Sequence, residues 1–398
     1  MTERLAIDGG TPVRSKVLPY ARQDINESDL AAVADALRSD WLTTGPRVPA
    51  FEEALAGATG AKHVIAYSSG TAALHGAMAS LGLRPGDEVV TTPMTFAATS
   101  NAVLYVGGEA RFADIDPGSL LIDPGAVSRA ITARTRAIAA VDYAGQPADY
   151  DALRALADAA PNGPIPLIAD AAHSLGATWH GRPVGTLADL TILSLHPAKI
   201  LTTGEGGAVL TDDDDRAAFL RRFRNHGIGT ELAARRDWTY AMVELGFNYR
   251  LTDVMAALGT SQMARLGEFL SARRRLAARY TSALAGHWAV DIQTVNPAAD
   301  PAWHLFVVQL RLDRLKVDRG AIYRALRAEG IGVNVHYIPV HRHPFYRARY
   351  PELEGSLPVA EAAYERLLTL PLFSAMTDGD VDDVVAALDK VTEAYRAG

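Results

Sequence analysis

The 398-residue chain contains no cysteine. That absence removes disulfide scaffolds, thiolate zinc sites, cysteine-held iron–sulfur clusters and every cysteine nucleophile. Aromatic residues are sparse at 7%, and charged residues make up 21%. No run approaches the roughly 18 consecutive apolar residues of a membrane helix, so no membrane partner is expected. The opening Met1–Gly10 segment lacks the basic-then-apolar order of a secretory signal, which makes cytoplasmic residence the expectation. With 39 Lys and Arg against 46 Asp and Glu the net charge is −7, and no basic block stands out. Nucleic acid is therefore not an expected partner. A Gly-x-x-x-x-Gly-Lys-Ser/Thr loop is missing, as is Gly-x-Gly-x-x-Gly after the first strand. Both absences count against nucleoside-triphosphate and nicotinamide sites.

What is present is 48% hydrophobic residues, enough for a large core. Short β-rich runs at His63–Tyr67, Glu88–Thr91, Ala110–Ile115, Ala137–Asp142, Pro166–Asp170, Leu190–Leu195 and Gly207–Thr211 alternate with Ala-rich helical stretches. That alternation predicts an α/β protein with a mostly parallel seven-stranded sheet covered on both faces. Ligands of such folds gather at the carboxyl ends of the strands. A long helical pattern follows from Val254 to Leu284. Beyond it a smaller α/β unit is expected, with strands at Leu305–Leu312 and Gly332–His336 and helices at Arg319–Glu329 and Ala360–Leu368. The resulting expectation is an arm (1–20), a large domain (21–260) and a small C-terminal domain (261–398).

Three stretches carry polar residues to strand ends. Ser68-Ser69-Gly70-Thr71 follows a strand and opens a helix, which suits either a phosphate or an ordinary helix cap. Asp170 ends the apolar run Ile168-Ala169-Asp170, where a carboxylate needs a cationic partner, a ligand or a capping role. Lys199 follows the next strand in Ser194-Leu195-His196-Pro197-Ala198-Lys199, and a Thr/Gly turn comes after it. Together these supply what pyridoxal 5′-phosphate requires: a phosphate cradle, a lysine for the Schiff base and an Asp for the pyridine nitrogen. Phe96 offers a flat partner for the ring. The run Asp212–Asp215 reads as a solvated turn and helix start. The segment His336–His343 has no standard ligand spacing, so no metal is expected.

With these motifs, and with Glu205-Gly206-Gly207-Ala208 and Leu245-Gly246-Phe247-Asn248-Tyr249-Arg250, the chain resembles the DegT/DnrJ/EryC1/StrS family of sugar aminotransferases from about Pro19 to Pro371. The resemblance implies the fold type I architecture of pyridoxal-phosphate transferases. It also implies Lys199 as Schiff-base lysine, Asp170 at the pyridine nitrogen, His173 near the phenolic oxygen and Phe96 on the ring. Gly70, Thr71 and Ser194 would contact the phosphate. Asn248 would reach it from a second subunit, in a homodimer with shared active sites. Leu18-Pro19-Tyr20, Val141-Asp142-Tyr143-Ala144-Gly145 and Val335-His336-Tyr337-Ile338-Pro339 resemble one branch in particular. That branch aminates C4 of a UDP-linked 4-keto-6-deoxy-N-acetyl-hexosamine of the L-altro series, on the route to pseudaminic acid, with L-glutamate as donor. His336, Tyr337 and Arg342 are then candidate contacts to the nucleotide sugar. Another nucleotide-linked keto-deoxysugar, dTDP-linked and aminated at C3 or C4, is the alternative. A sugar dehydratase with this fold would have His in place of Lys199, and a mere sugar-nucleotide sensor would not need the Asp170–Lys199 pair.

Overall fold

A computed structural model describes residues 4–229 and 238–398. The main sheet has seven strands: β1 (His63–Tyr67), β2 (Glu88–Thr91), β3 (Glu109–Phe112), β4 (Thr135–Val141), β5 (Leu167–Asp170), β6 (Leu190–Ser194) and β7 (Gly207–Thr211). Their spatial order is β1-β7-β6-β5-β4-β2-β3. Four neighbouring pairs are parallel, while β7 runs antiparallel to both β1 and β6. The strands are near-continuous apolar runs because helices cover both faces, with Phe51 and Leu153 in the core on one side and Leu74 and Met78 on the other. The reversal at β7 matters for the site. It makes Leu195–Gly206 a loop that leaves and re-enters the sheet at the same end of two neighbouring strands, and this loop carries Lys199.

Three sequence expectations need correction. The long helical pattern is two helices, Asp253–Met263 and Leu266–Ala283. They break at Ala264-Arg265, where the Arg265 guanidinium meets the buried Asp29 carboxylate at 2.6 Å. Gly332–His336 is no strand; within it only Asn334 makes an isolated bridge, to Thr369, and Ile331 just before it bridges to Leu18. The helix expected over Ala360–Leu368 spans Pro358–Arg366, and Leu367–Leu370 is a strand. It completes a small antiparallel sheet of β8 (Val290–Ile292), β9 (Phe306–Leu310) and β10 (Leu367–Leu370).

That small sheet has its own core, which also takes in Leu5 and Leu18. Helix Leu266–Ala283 gives Phe269 to the large core and Leu276 and Tyr280 to the small one. Between them, buried Arg273 donates through Nη1 to the carbonyls of Trp303 (3.2 Å), His304 (3.2 Å) and Leu372 (3.1 Å). Burial pulls its guanidinium down to about 10. Replacing Arg273 by Met relieves a buried charge but strands three carbonyls. We expect a net loss of about 2 kcal/mol, read as a lower urea midpoint. Among the described residues no helix is long and apolar enough to cross a membrane.

Candidate active site

At the carboxyl ends of β1, β5 and β6 lies a cavity of about 510 Å³. Lys199, Asp170, His173, Gly70, Thr71, Phe96, Ser194, His336 and Tyr337 all line it. Thus these nine residues singled out in the sequence, up to 267 positions apart, face one space.

The local chemistry explains each placement. Ser69 caps helix Gly70–Ala79 by accepting from Ala72 N–H at 3.1 Å, which leaves the first amides of that helix facing the cavity. The cradle is tight. A Cβ on Gly70 would stand 3.1 Å from Ser194 Cβ, and one on Gly207 would meet Gly70 N and the Ser69 carbonyl at 2.6 Å. Gly207→Ala is therefore expected to push the cradle open and weaken pyridoxal phosphate binding about tenfold, 1.4 kcal/mol at 298 K; titrating apo-protein with the cofactor checks it. Lys199 is held by its loop, where Lys199 N–H donates to His196 O (2.8 Å) and Thr202 Oγ1 to Leu195 O (3.0 Å).

Asp170 is buried and accepts from Thr99 Oγ1 at 2.6 Å and from Ala172 N–H at 3.2 Å. Burial pushes its carboxyl up, and the Thr99 hydroxyl, the Ala172 amide and the Lys199 charge oppose that push. Burial pulls the Lys199 amine down to about 8, with Asp170 acting the other way. His173 lies against His304, with ring centroids 4.3 Å apart and planes tilted by 45°, and pairs through Nε2 with Tyr337 Oη at 3.0 Å. Its Nδ1 is buried without a partner among the described residues. Desolvation drives His173 and His304 well below the usual histidine range and His336 to about 4. The three imidazoles are neutral at pH 7, so the wall they form is polar and uncharged. His336 Nδ1 is fixed by Thr369 Oγ1 at 2.9 Å.

This space fits pyridoxal phosphate on its own evidence. A buried carboxylate still lacks a full set of donors, a buried imidazole nitrogen is unpartnered, and a glycine-floored helix start stands opposite. Because Lys199 is drawn down to about 8, its reactive free amine should become half-populated near that pH. Cofactor capture by apo-protein is expected to speed up between pH 7 and 9. Asp170, His173, His304 and His336 are charge-coupled to the amine, and Tyr20, His196, Glu205 and Tyr337 also line the cavity. A midpoint above pH 10 would contradict this.

Two residues from the sequence reading are not brought in. Asn248 lies outside the cavity, exposed and bridged to Asn225. Arg342 lines a separate cleft, with its guanidinium 2.6 Å from Glu365 and over the Tyr364 ring. In turn, the sequence reading missed Thr99, His304 and the contribution of Tyr20. A His at the entry of the apolar strand β9 was the available signal for His304.

The sequence profile of the DegT/DnrJ/EryC1/StrS aminotransferase family matches residues 23–389. The spore coat polysaccharide biosynthesis protein SpsC of Bacillus subtilis is 37% identical over 385 residues, 96% of this chain and 98% of that protein. Among solved structures, a sugar aminotransferase from Streptococcus pneumoniae, Spr1654 in its PMP form, superposes with TM-score 0.90 at 30% identity, covering 95% of this chain and 99% of that one. Helicobacter pylori PseC, an aminotransferase of pseudoaminic acid biosynthesis, gives TM-score 0.89 at 28% identity, covering 96% and 100%.

Proposed function

Because the chain belongs to the DegT/DnrJ/EryC1/StrS aminotransferase family and is a sugar aminotransferase, we propose that it moves an amino group from L-glutamate to the C4 ketone of a UDP-linked 4-keto-6-deoxy-N-acetyl-hexosamine, with pyridoxal 5′-phosphate as cofactor. The observation that carries this reading is the single cavity in which Lys199 and Asp170 meet the neutral wall of His304, His336 and Tyr337. The structural likeness to PseC supports the choice of acceptor.

When bound, the cofactor supplies an electron sink for negative charge at the carbon that gains or loses nitrogen. The chain's residues then divide the remaining work. Asp170 holds a proton on the pyridine nitrogen, and Thr99 holds Asp170. His173 would meet the phenolic oxygen, and Tyr337 fixes the His173 ring. Ser69, Gly70, Thr71 and Ser194 would hold the phosphate, and Phe96, which is 63% exposed, would offer its face to the ring. Lys199 would supply the amine for the covalent link and carry the proton to and from the reacting carbon. The uncharged imidazoles suit sugar hydroxyl and acetamido groups, which need hydrogen bonds rather than charge.

We place Asn248 at the active site of a second copy, in a homodimer. Its position outside its own cavity supports this, as do the exposed Trp238, Met242 and Leu245 close by in sequence. Incubation with L-glutamate and the UDP-linked 4-keto sugar, followed by mass spectrometry, should show 2-oxoglutarate and the 4-amino sugar. Turnover with dTDP-linked keto sugars alone would move the acceptor.

A further inference from the structure

The site residues come from separate strands, and a single turn touches the supports of most of them. This is Asp142–Gly145, just beyond β4. Register pairs Val141 with Asp170, and Asp142 N–H donates to Asp170 O at 3.1 Å. The fully buried Asp142 carboxylate accepts from Ala148 N–H (3.0 Å) and Tyr150 Oη (2.7 Å) on one oxygen and from Ser174 Oγ (2.5 Å) on the other. Ser174, also fully buried, directly follows His173 and closes the turn by donating its N–H to Ala171 O at 3.0 Å. The next residues reach the opposite wall. Tyr143 Oη donates to the His336 carbonyl. Ala144 O and Gly145 O accept from Leu305 N–H (3.2 Å) and Ala302 N–H (2.9 Å). Gly145 is required here, with φ +100° and a Cβ that would meet His304 N at 2.7 Å.

We infer that Asp142 is a positioning residue of the amino transfer: through Ser174 it holds the turn that carries Asp170 and His173, and its charge bears on the cofactor end of the cavity. The inference rests on the roles proposed above for Asp170, His173 and Lys199. The groups facing the carboxylate are Ser174, Tyr150 and the Ala148 amide, with Asp170 as its charged neighbour. Burial raises Asp142 to about 7, opposed by the three donors and reinforced by the Asp170 charge. A carboxylate whose only task were to satisfy donors would be replaced silently by Asn. In Asp142→Asn the amide oxygen still accepts from Ala148 and Tyr150, and the amide nitrogen can donate to Ser174 Oγ, so packing and hydrogen bonds persist while the charge is gone.

The test follows the visible absorption of protein loaded with pyridoxal phosphate across pH. Its midpoint reports the proton on the lysine–cofactor link. Removing a nearby negative charge makes a cation easier to deprotonate. In Asp142→Asn the midpoint is expected to fall by about half a pH unit or more, roughly threefold in proton affinity. A wild-type band with an unshifted Asp142→Asn midpoint overturns the inference alone; a wild type with no such band overturns the functional reading and the inference with it. Should Asp142→Asn not fold, Ser174→Ala carries the test, since it keeps the charge and cuts the tie. It is expected to lower kcat about tenfold with KM nearly unchanged, and an unchanged kcat overturns the inference.

Discussion

Lys199→Ala is expected to abolish turnover, lowering kcat by about ten-thousandfold or more, while leaving the fold intact. The side chain is half-buried in the cavity, so truncation leaves no large exposed patch, and Asp170, which loses its cationic neighbour, keeps its bonds to Thr99 and Ala172. Its amine is held near pH 8 by desolvation, against the Asp170 charge. An amine of that kind is available both as nucleophile and as proton carrier close to neutral pH. Lys199→Arg should fail equally, because guanidinium stays protonated and cannot make the covalent link. Single-turnover mixing with L-glutamate separates the two duties. Near wild-type rates in either variant would contradict the role assigned to Lys199.

Asp170→Asn carries the second large effect. The carboxylate sits at the end of β5 with Thr99 Oγ1 at 2.6 Å and the Ala172 amide at 3.2 Å. Asn fits the same space, so pyridoxal phosphate should still bind. Without a negative charge, however, the pyridine nitrogen loses its proton and the ring its capacity to accept electrons. Removing one preorganised electrostatic partner costs about 10² to 10³ in kcat, and we expect a loss in that range with cofactor affinity changed far less. A loss below about tenfold, 1.36 kcal/mol of barrier, would contradict the role assigned to Asp170.

Much of this site could be read in the sequence because the fold places chemistry at strand ends. Asp170 interrupts an apolar run at its last residue, and Lys199 follows the next strand in a Thr/Gly turn. The main-sheet strands were legible for a related reason: most are short apolar runs buried on both faces, and edge strand β3 alternates buried with part-exposed residues. What escaped was set by distant partners. Thr99 looks like any helical threonine until β5 brings Asp170 to it. The helix break at Ala264-Arg265 accompanies a contact with Asp29, more than two hundred positions earlier. Leu367–Leu370 continues a helical pattern, yet pairing with β9 makes it a strand. Arg342 has the chemistry for phosphate, but Glu365 and Tyr364 hold it elsewhere.

The most direct measurement is the visible absorption spectrum of the purified protein, supplied with pyridoxal phosphate, before and after L-glutamate is added. A yellow band that depends on Lys199 and bleaches on addition of L-glutamate is the expected result. It would establish the cofactor link and the donor half of the transfer in one experiment. No visible band in the wild type, even with excess cofactor, would contradict the account at its centre.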